Sequence, residues 1–475
     1  MTSTDGTATL AVAGRPRRVC VVGAGYVGLT AAACLAELGH TVCCVEADPA
    51  RLALLTAGVI PIHEPGLAEL VAAHRGTGRL SFTADMAEAM RATGVALLCV
   101  GTPPRPDGEP DLRQLGNAAI EIARVATAEV VLVVKSTVPP GSCEAVELLA
   151  GGHAQAGVRV SVASNPEFLR EGEAVWDFFN PDRVVIGIDE PALEERVTSL
   201  YPAEWPLLIC SRRSAELVKY AANTFLAVKI SFANEVAALC EALGAESGHV
   251  LTGVGLDGRI GEAYLAPGPG FGGSCLPKDL SGFIAVAASA GQAATVARAA
   301  QQVNDGALAA LVDKLEATLG PLPGRRIGVL GLAFKAGTGD VRHSPAVRLV
   351  EALVARGAIV AAHDPVASVP ATLVDQVDDI YQAAAGADAL VVATAWPDYR
   401  RDLRPGQLRE VMAGHTILDA VDVLDAQDFG DAGFDVYGVG RGLPTSFAPV
   451  LWRSLEWMIG SPAADSPAAG PLVSQ

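Results

Sequence analysis

Short apolar runs recur along the chain with room for a helix between them, the pattern that parallel strands leave in an α/β sheet. Residues 18–22 (Arg-Val-Cys-Val-Val) predict a buried strand, 29–38 a helix, and 41–45 (Thr-Val-Cys-Cys-Val) a second strand. Runs at 95–100, 130–134, 158–162 and 184–188 predict further parallel strands of the same doubly wound sheet. From 214 to 243 the pattern changes: Pro and Gly are absent, and Leu217, Ala221, Phe225, Val228, Phe232, Val236, Leu239 and Leu243 recur at helical spacing. A helix of that length reaches about 45 Å at about 1.5 Å per residue, enough to span two domains and to offer a dimer interface. Another helical region is expected over 280–319, then a linker, Pro321-Leu-Pro-Gly324. Beyond it, strands at 326–330, 358–362, 389–393 and 416–418, with a helix at 346–356, predict a second α/β unit.

Composition supports this plan and narrows the partners. Half of the 475 residues are hydrophobic, with 50 Gly and 30 Pro, which suits a globular chain of two or three domains. A net charge of −18 argues against nucleic acid and anionic membrane as partners. A small anionic ligand then needs local basic groups. The nine cysteines are odd in number and lack zinc-like spacing, so they read as reduced thiols of a cytoplasmic protein. The histidines are scattered and no metal is expected; no apolar run reaches the length of a membrane span.

The first strand runs into Gly23-Ala-Gly25-Tyr26-Val27-Gly28, and the second ends at Glu46. A strand, a G-x-G-x-x-G turn, a helix and a terminal acid form a Rossmann dinucleotide site, in which the acid accepts hydrogen bonds from a ribose and repels a 2′-phosphate. NAD is therefore expected rather than NADP, with Arg51 the one nearby residue that speaks for a phosphate. Three predicted strand ends carry Gly101-Thr102-Pro103-Pro104, Ser136-Thr137-Val138-Pro139 and Asn165-Pro-Glu167-Phe168-Leu169-Arg170-Glu171-Gly172. Ligands bind beyond such ends in doubly wound sheets, although each is also an ordinary turn composition. The stretch Gly268-Pro-Gly-Phe271-Gly272-Gly-Ser-Cys275-Leu-Pro277-Lys278-Asp279 joins a glycine-rich loop to a thiol, an ammonium and a carboxylate. Pro277 fits the first turn of a helix, which puts Cys275 at its N-terminus, where the dipole and Lys278 favour a thiolate. Lys219 and Asn223 lie one turn apart and off the apolar stripe; in a cleft they can hold an oxyanion, and exposed they mean nothing.

In their order these motifs, with Gly331-Leu-Ala-Phe334-Lys335 and Asp340-Val-Arg342, resemble the UDP-glucose/GDP-mannose dehydrogenase family over about 18–441. The resemblance implies two Rossmann-like doubly wound domains joined by a central helical region with a long helix. The implied plan is a flexible arm (1–17), an NAD-binding domain (18–212), a helical dimerisation domain (213–320), a nucleotide-sugar-binding domain (321–445) and a tail (446–475). It implies four-electron oxidation of a nucleotide-sugar C6 alcohol to the uronate with two NAD, through a thiohemiacetal and thioester on Cys275. Lys219, Asn223, Asp279, Glu171 and Thr137 then serve oxyanion binding, proton transfer and hydrolysis. Thr102, Thr137, Glu171, Lys278 and Arg342 join Gly23 to Gly28, Glu46 and Arg51 around NAD. Glu167, Phe168, Leu169, Arg170, Lys219, Asn223, Tyr264, Phe271, Gly272, Phe334 and Lys335 line the sugar nucleotide, and Arg259 enters from the second subunit of a homodimer.

Two positions depart from the family's pattern. Asp419-Ala420-Val421-Asp422 lacks the arginine the family carries there, and His343 stands where an acid is usual. Valine cannot replace a guanidinium fork. UDP-glucose is the implied substrate, and dTDP-glucose, a UDP-N-acetylhexosamine or GDP-mannose remain alternatives for the same chemistry. A two-electron alcohol dehydrogenase and a non-catalytic nucleotide-sugar-binding protein are the competing classes.

Overall fold

The computed structural model describes residues 17–441. The expected tail and residues 1–16 of the expected arm lie outside the described residues. Arg17, counted with that arm, is anchored: its N–H donates to His40 Nδ1 (3.1 Å) and its Nε to Ser199 Oγ (2.7 Å).

Eight strands make the first sheet: β1 (Arg18–Val22), β2 (Thr41–Val45), β3 (Leu80–Thr83), β4 (Val95–Leu98), β5 (Val130–Val134), β6 (Val160–Ser164), β7 (Val184–Gly187) and β8 (Leu207–Cys210). Their order is β3-β2-β1-β4-β5-β6-β7-β8. The order reverses between β1 and β4, which places a ligand crevice at their carboxyl ends. β4 and β5 are buried at every position. Helices cover both faces, so these strands read as unbroken apolar runs and not as alternations. The run at 184–188 departs from expectation, because β7 is antiparallel to β6 (Ser164 opposite Gly187) and parallel to β8. The Asn165–Gly172 segment and the short helix Ala174–Phe179 stay at the end where β6 leaves the sheet, and the chain re-enters from there.

The long helix is Arg212–Leu243, capped by Ser211 Oγ, which accepts from Ser214 N, and ended by Gly244 at φ +68°. Its apolar stripe faces outward: Phe225, Phe232 and Leu239 are 64, 50 and 58% exposed. The opposite face, with Lys219, Tyr220, Asn223, Ala227 and Ser231, is the buried one. Small and polar side chains there let two further helices approach, Leu276–Ser289 and Thr295–Leu319, with Ser231 Oγ donating to Ala300 O at 2.7 Å. These two replace the single helical region expected over 280–319, which is broken where Gly291 takes φ +73°. Ala227, Phe271, Leu280, Ile284 and Ala297 form the small core of this region.

The second sheet holds β9 (Arg326–Leu330), β10 (Ile359–His363), β11 (Asp375–Gln376), β12 (Ala389–Val392), β13 (Thr416–Asp419) and β14 (Asp435–Gly438) in the order β11-β10-β9-β12-β13-β14, all parallel. It is a second Rossmann-like unit on its own core. The two α/β units meet at Gly172, whose φ is +83° and whose Cβ, if present, would lie 2.5 Å from Gly337 O.

This contact predicts a difference between two glycines. Gly172→Ala should cost about 2–4 kcal/mol in unfolding free energy, strain plus displacement of Gly337. Gly141→Ala, at φ +95° with nothing within 4 Å of its Cβ, should cost strain alone. Denaturant titration compares them; equal costs would contradict the close approach.

Candidate active site

At the end of β1 the chain turns at Gly23 (φ +97°), and a Cβ on Gly28 would lie 1.8 Å from Gly23 O, so only glycine lets the helix Tyr26–Glu37 start here. Nothing lies within 4 Å of a Cβ on Gly25. The helix N-terminus therefore opens onto free space, a cradle that suits a pyrophosphate. Glu46, 8% exposed, accepts from Ala24 N (3.2 Å) and Asp48 N (2.8 Å), with Arg51 Nη1 3.9 Å away. Val27 packs on the sheet's core. The Tyr26 hydroxyl accepts from Gly172 N at 2.6 Å, joining the glycine turn to the segment after β6. Thr102 Oγ1 donates to Thr137 O at 3.0 Å and joins the ends of β4 and β5. An open helix start and a buried acid at the tip of β2 fit a dinucleotide with a free ribose 2′-hydroxyl.

A cleft of about 680 Å³ lies beside this cradle, walled by the segment after β6, the long helix, the glycine loop, and Phe334 with Lys335. Lys219, 3% exposed, sits 3.0 Å from Glu167 Oε1 and 5.4 Å from the centre of the Phe168 ring. Burial pulls the Lys219 ammonium down, but Glu167, Asp279 and Cys275 outweigh it and hold the group above its ordinary value. Burial pushes Glu167 up, and Lys219 reverses it, leaving the carboxylate ionised. Asn223 Nδ2 donates to Asp279 Oδ2 at 2.5 Å. Ser274 Oγ donates to Glu171 Oε1 at 2.9 Å and lies 3.5 Å from Cys275 Sγ. Burial, then the neighbouring Asp340, push Glu171 up to about 7. Arg342 Nη2 is 3.6 Å from the same carboxylate and paired with Asp340.

Leu169 N donates to Glu167 Oε2 at 2.7 Å, Arg170 reaches the cleft while paired with Asp177 and Glu173, and Tyr264, Gly272, Phe334 and Lys335 complete the wall. Three expectations need correction. Lys278 does not serve the thiol: its ammonium is paired with Asp279, and Lys219 is the cation that lowers the thiol. Cys275 does cap the helix Leu276–Ser289, yet burial outweighs Lys219 and keeps the thiol above its ordinary value, so the resting sulfur is protonated. The Phe271 side chain is in the central core and not in the cleft wall, because its N–H is held by Asn304 Oδ1 at 2.7 Å. Arg259 is not among the residues that wall the cleft of its own chain; it is 89% exposed and paired with Asp257.

The structure adds residues that the motifs did not single out. Lys135, 5% exposed, donates to Asn165 Oδ1 at 3.1 Å and borders the cleft; a lysine directly after five apolar strand residues was the available signal. Arg183 stacks 3.8 Å from the Phe168 ring centre. At the departing positions, half-buried Val421 packs on the C-terminal core, while Asp422 pairs with Arg441 at 2.5 Å. His343 takes φ +50°, and its carbonyl would lie 2.3 Å from a Cβ on Gly272.

Comparison with known proteins agrees with this geometry over most of the chain. Family models of the UDP-glucose/GDP-mannose dehydrogenase family match in order: its NAD binding domain over 17–204, its central domain over 213–306 and its UDP binding domain over 328–426. A UDP-glucose 6-dehydrogenase of Rhizobium meliloti is 42% identical over 436 residues, covering 89% of this chain and 99% of that one. One from Bacillus subtilis is 39% identical, covering 90% and 93%. The solved UDP-glucose dehydrogenase of Pyrobaculum islandicum superposes with a TM-score of 0.83 at 40% identity, covering 93% and 100%. A UDP-D-ManNAc dehydrogenase of Pyrococcus horikoshii gives 0.80 at 27% identity, covering 89% and 99%. The glycine turn with Glu46, the buried Lys219 and Asn223, and the Cys275 loop thus belong to an NAD-dependent oxidoreductase of the UDP-glucose/GDP-mannose dehydrogenase family.

Proposed function

We propose that the chain oxidises the C6 alcohol of UDP-glucose to UDP-glucuronate, consuming two NAD and one water, through a thiohemiacetal and a thioester on Cys275. The observation that carries this reading is the convergence of Cys275, Lys219, Asn223 and Glu171 on one cleft beside the dinucleotide cradle. Bound NAD supplies the acceptor for the two hydrides that leave C6. Lys219 and the Asn223 amide stabilise the oxygen as its charge develops, from positions fixed by Glu167 and Asp279 before substrate arrives. The Cys275 sulfur forms a bond to the aldehyde carbon, which retains the intermediate between the two oxidations. Water then adds to the thioester, the C–S bond breaks, and the carboxylate leaves. Glu171 takes the proton of that water, with Thr137 and Asp279 placing it. A non-catalytic binding protein has no use for such a nucleophile.

UDP-glucose is preferred because the similar curated proteins are UDP-glucose 6-dehydrogenases. A second reading, the same chemistry on another nucleotide sugar, is favoured by Val421, which offers no guanidinium to the nucleotide. The outward apolar stripe is proposed to pack on a second copy, forming a homodimer in which the exposed Arg259 reaches the partner's cleft.

Cys275→Ser should bind substrate and NAD with ordinary affinity, while turnover to the uronate falls by at least about 100-fold; titration calorimetry and product analysis check this, and unchanged uronate formation would refute the covalent route. Glu171 acts as a base only when ionised, so thioester hydrolysis in single-turnover quench experiments should rise through pH 7 and level off above it. Glu171→Gln should slow that step about 100-fold or more and accumulate protein carrying a covalent sugar. Phe225→Arg with Phe232→Arg should yield monomers by light scattering; a dimer of unchanged stability would place the interface elsewhere.

A further inference from the structure

We propose that Ser274 is a proton relay between Cys275 and Glu171, so that one carboxylate serves both the activation of the nucleophile and the later hydrolysis. The inference rests on the thioester reading above and deepens it. The Ser274 hydroxyl hydrogen is committed to Glu171 Oε1 at 2.9 Å, which leaves the oxygen's lone pairs to receive the thiol hydrogen from Cys275 Sγ at 3.5 Å. The other acids around the sulfur are already engaged. Asp279 takes hydrogen bonds from Asn223 and Lys278, and Glu167 from Lys219 and Leu169 N. Glu171 differs: among the described residues the one hydrogen bond its carboxylate accepts is that from Ser274 to Oε1, its buried Oε2 having none.

The proton path balances. The thiol hydrogen passes to Ser274 Oγ as the serine's own hydrogen passes to Glu171 Oε1, giving thiolate and carboxylic acid with no change in net charge. The thiolate electron pair then forms the C–S bond, and Glu171 loses its proton to solvent before hydrolysis. In hydrolysis Glu171 takes a proton from the attacking water and passes it to solvent, while the C–S bond breaks and the sulfur departs as the thiolate. The thiol faces Lys219, Glu167, Asp279 and Arg342; the carboxylate faces Asp340, Arg342 and Lys335. Lys219 and Arg342 favour the thiolate against Glu167 and Asp279, while burial and Asp340 favour the protonated carboxyl against Arg342.

The test is alkylation of Cys275 by iodoacetamide in the full-length, substrate-free protein, followed by mass spectrometry of the Cys275 peptide across pH. A thiolate with a carboxylic acid contains as many protons as a thiol with a carboxylate, so its population is independent of pH once Glu171 has ionised. The rate should therefore rise to about pH 7, stay level, and rise again where the thiol ionises on its own. Ser274→Ala and Glu171→Gln should each lose the lower limb and fall about tenfold at pH 8, the double variant should fall no further, and Ser274→Thr should keep both limbs. A single-limbed wild-type profile, or a lower limb that survives in Ser274→Ala or in Glu171→Gln, overturns the relay. Because alkylation needs no turnover, its failure leaves the thioester reading standing, and loss of that reading leaves this profile unaffected.

Discussion

The ion pair between Lys219 and Glu167, closed at 3.0 Å with both residues under 10% exposed, is the interaction around which the site is built. Each charge alone would be costly in such a place, and removing one partner of a buried pair leaves the other uncompensated at a cost of about 3–5 kcal/mol. Together they keep an ammonium charged beside Cys275, against the downward pull of burial. Its position explains the inverted long helix. Lys219 and Asn223 have to look inward, so that face is given to small and polar residues, and the bulky apolar ones are turned out.

From that pair the arrangement extends outward along the chain's own connections. Glu167 stands on the segment that leaves β6, and two residues past Arg170 the same segment reaches Gly172, whose N–H is shared by the Tyr26 hydroxyl and the Glu64 carboxylate. Tyr26 belongs to the dinucleotide turn and Gly172 abuts Gly337 of the second α/β unit. Cofactor cradle, the Glu171 carboxylate and the C-terminal domain therefore meet within a few residues.

Much of this was legible in the sequence where one residue type has one physical use. The glycines of 23–28 and the acid at 46 declared the cradle, and β1, β2, β5 and β9 follow their apolar runs to the residue. Legibility failed where several solutions fit one pattern. The strand β8 has half its residues exposed at a sheet edge, and β3 alternates apolar with polar residues (Leu-Ser-Phe-Thr), so neither makes a strong apolar run. The direction of β7 depends on where the preceding segment re-enters the sheet, which periodicity does not encode. Phe271, which the family resemblance puts at the ligand, is a core residue instead. The thiol of Cys275 was judged from sequence neighbours, whereas its state is set by burial and by Lys219, 56 positions earlier in the chain.

The central claim, that one site carries out both oxidations with the intermediate tethered to Cys275, is tested most directly by the NADH formed per UDP-glucose consumed, with limiting sugar nucleotide and excess NAD. The account predicts two equivalents and no free aldehyde. One equivalent, with aldehyde released, would contradict it and leave a simple alcohol dehydrogenase in which Cys275 has no covalent role.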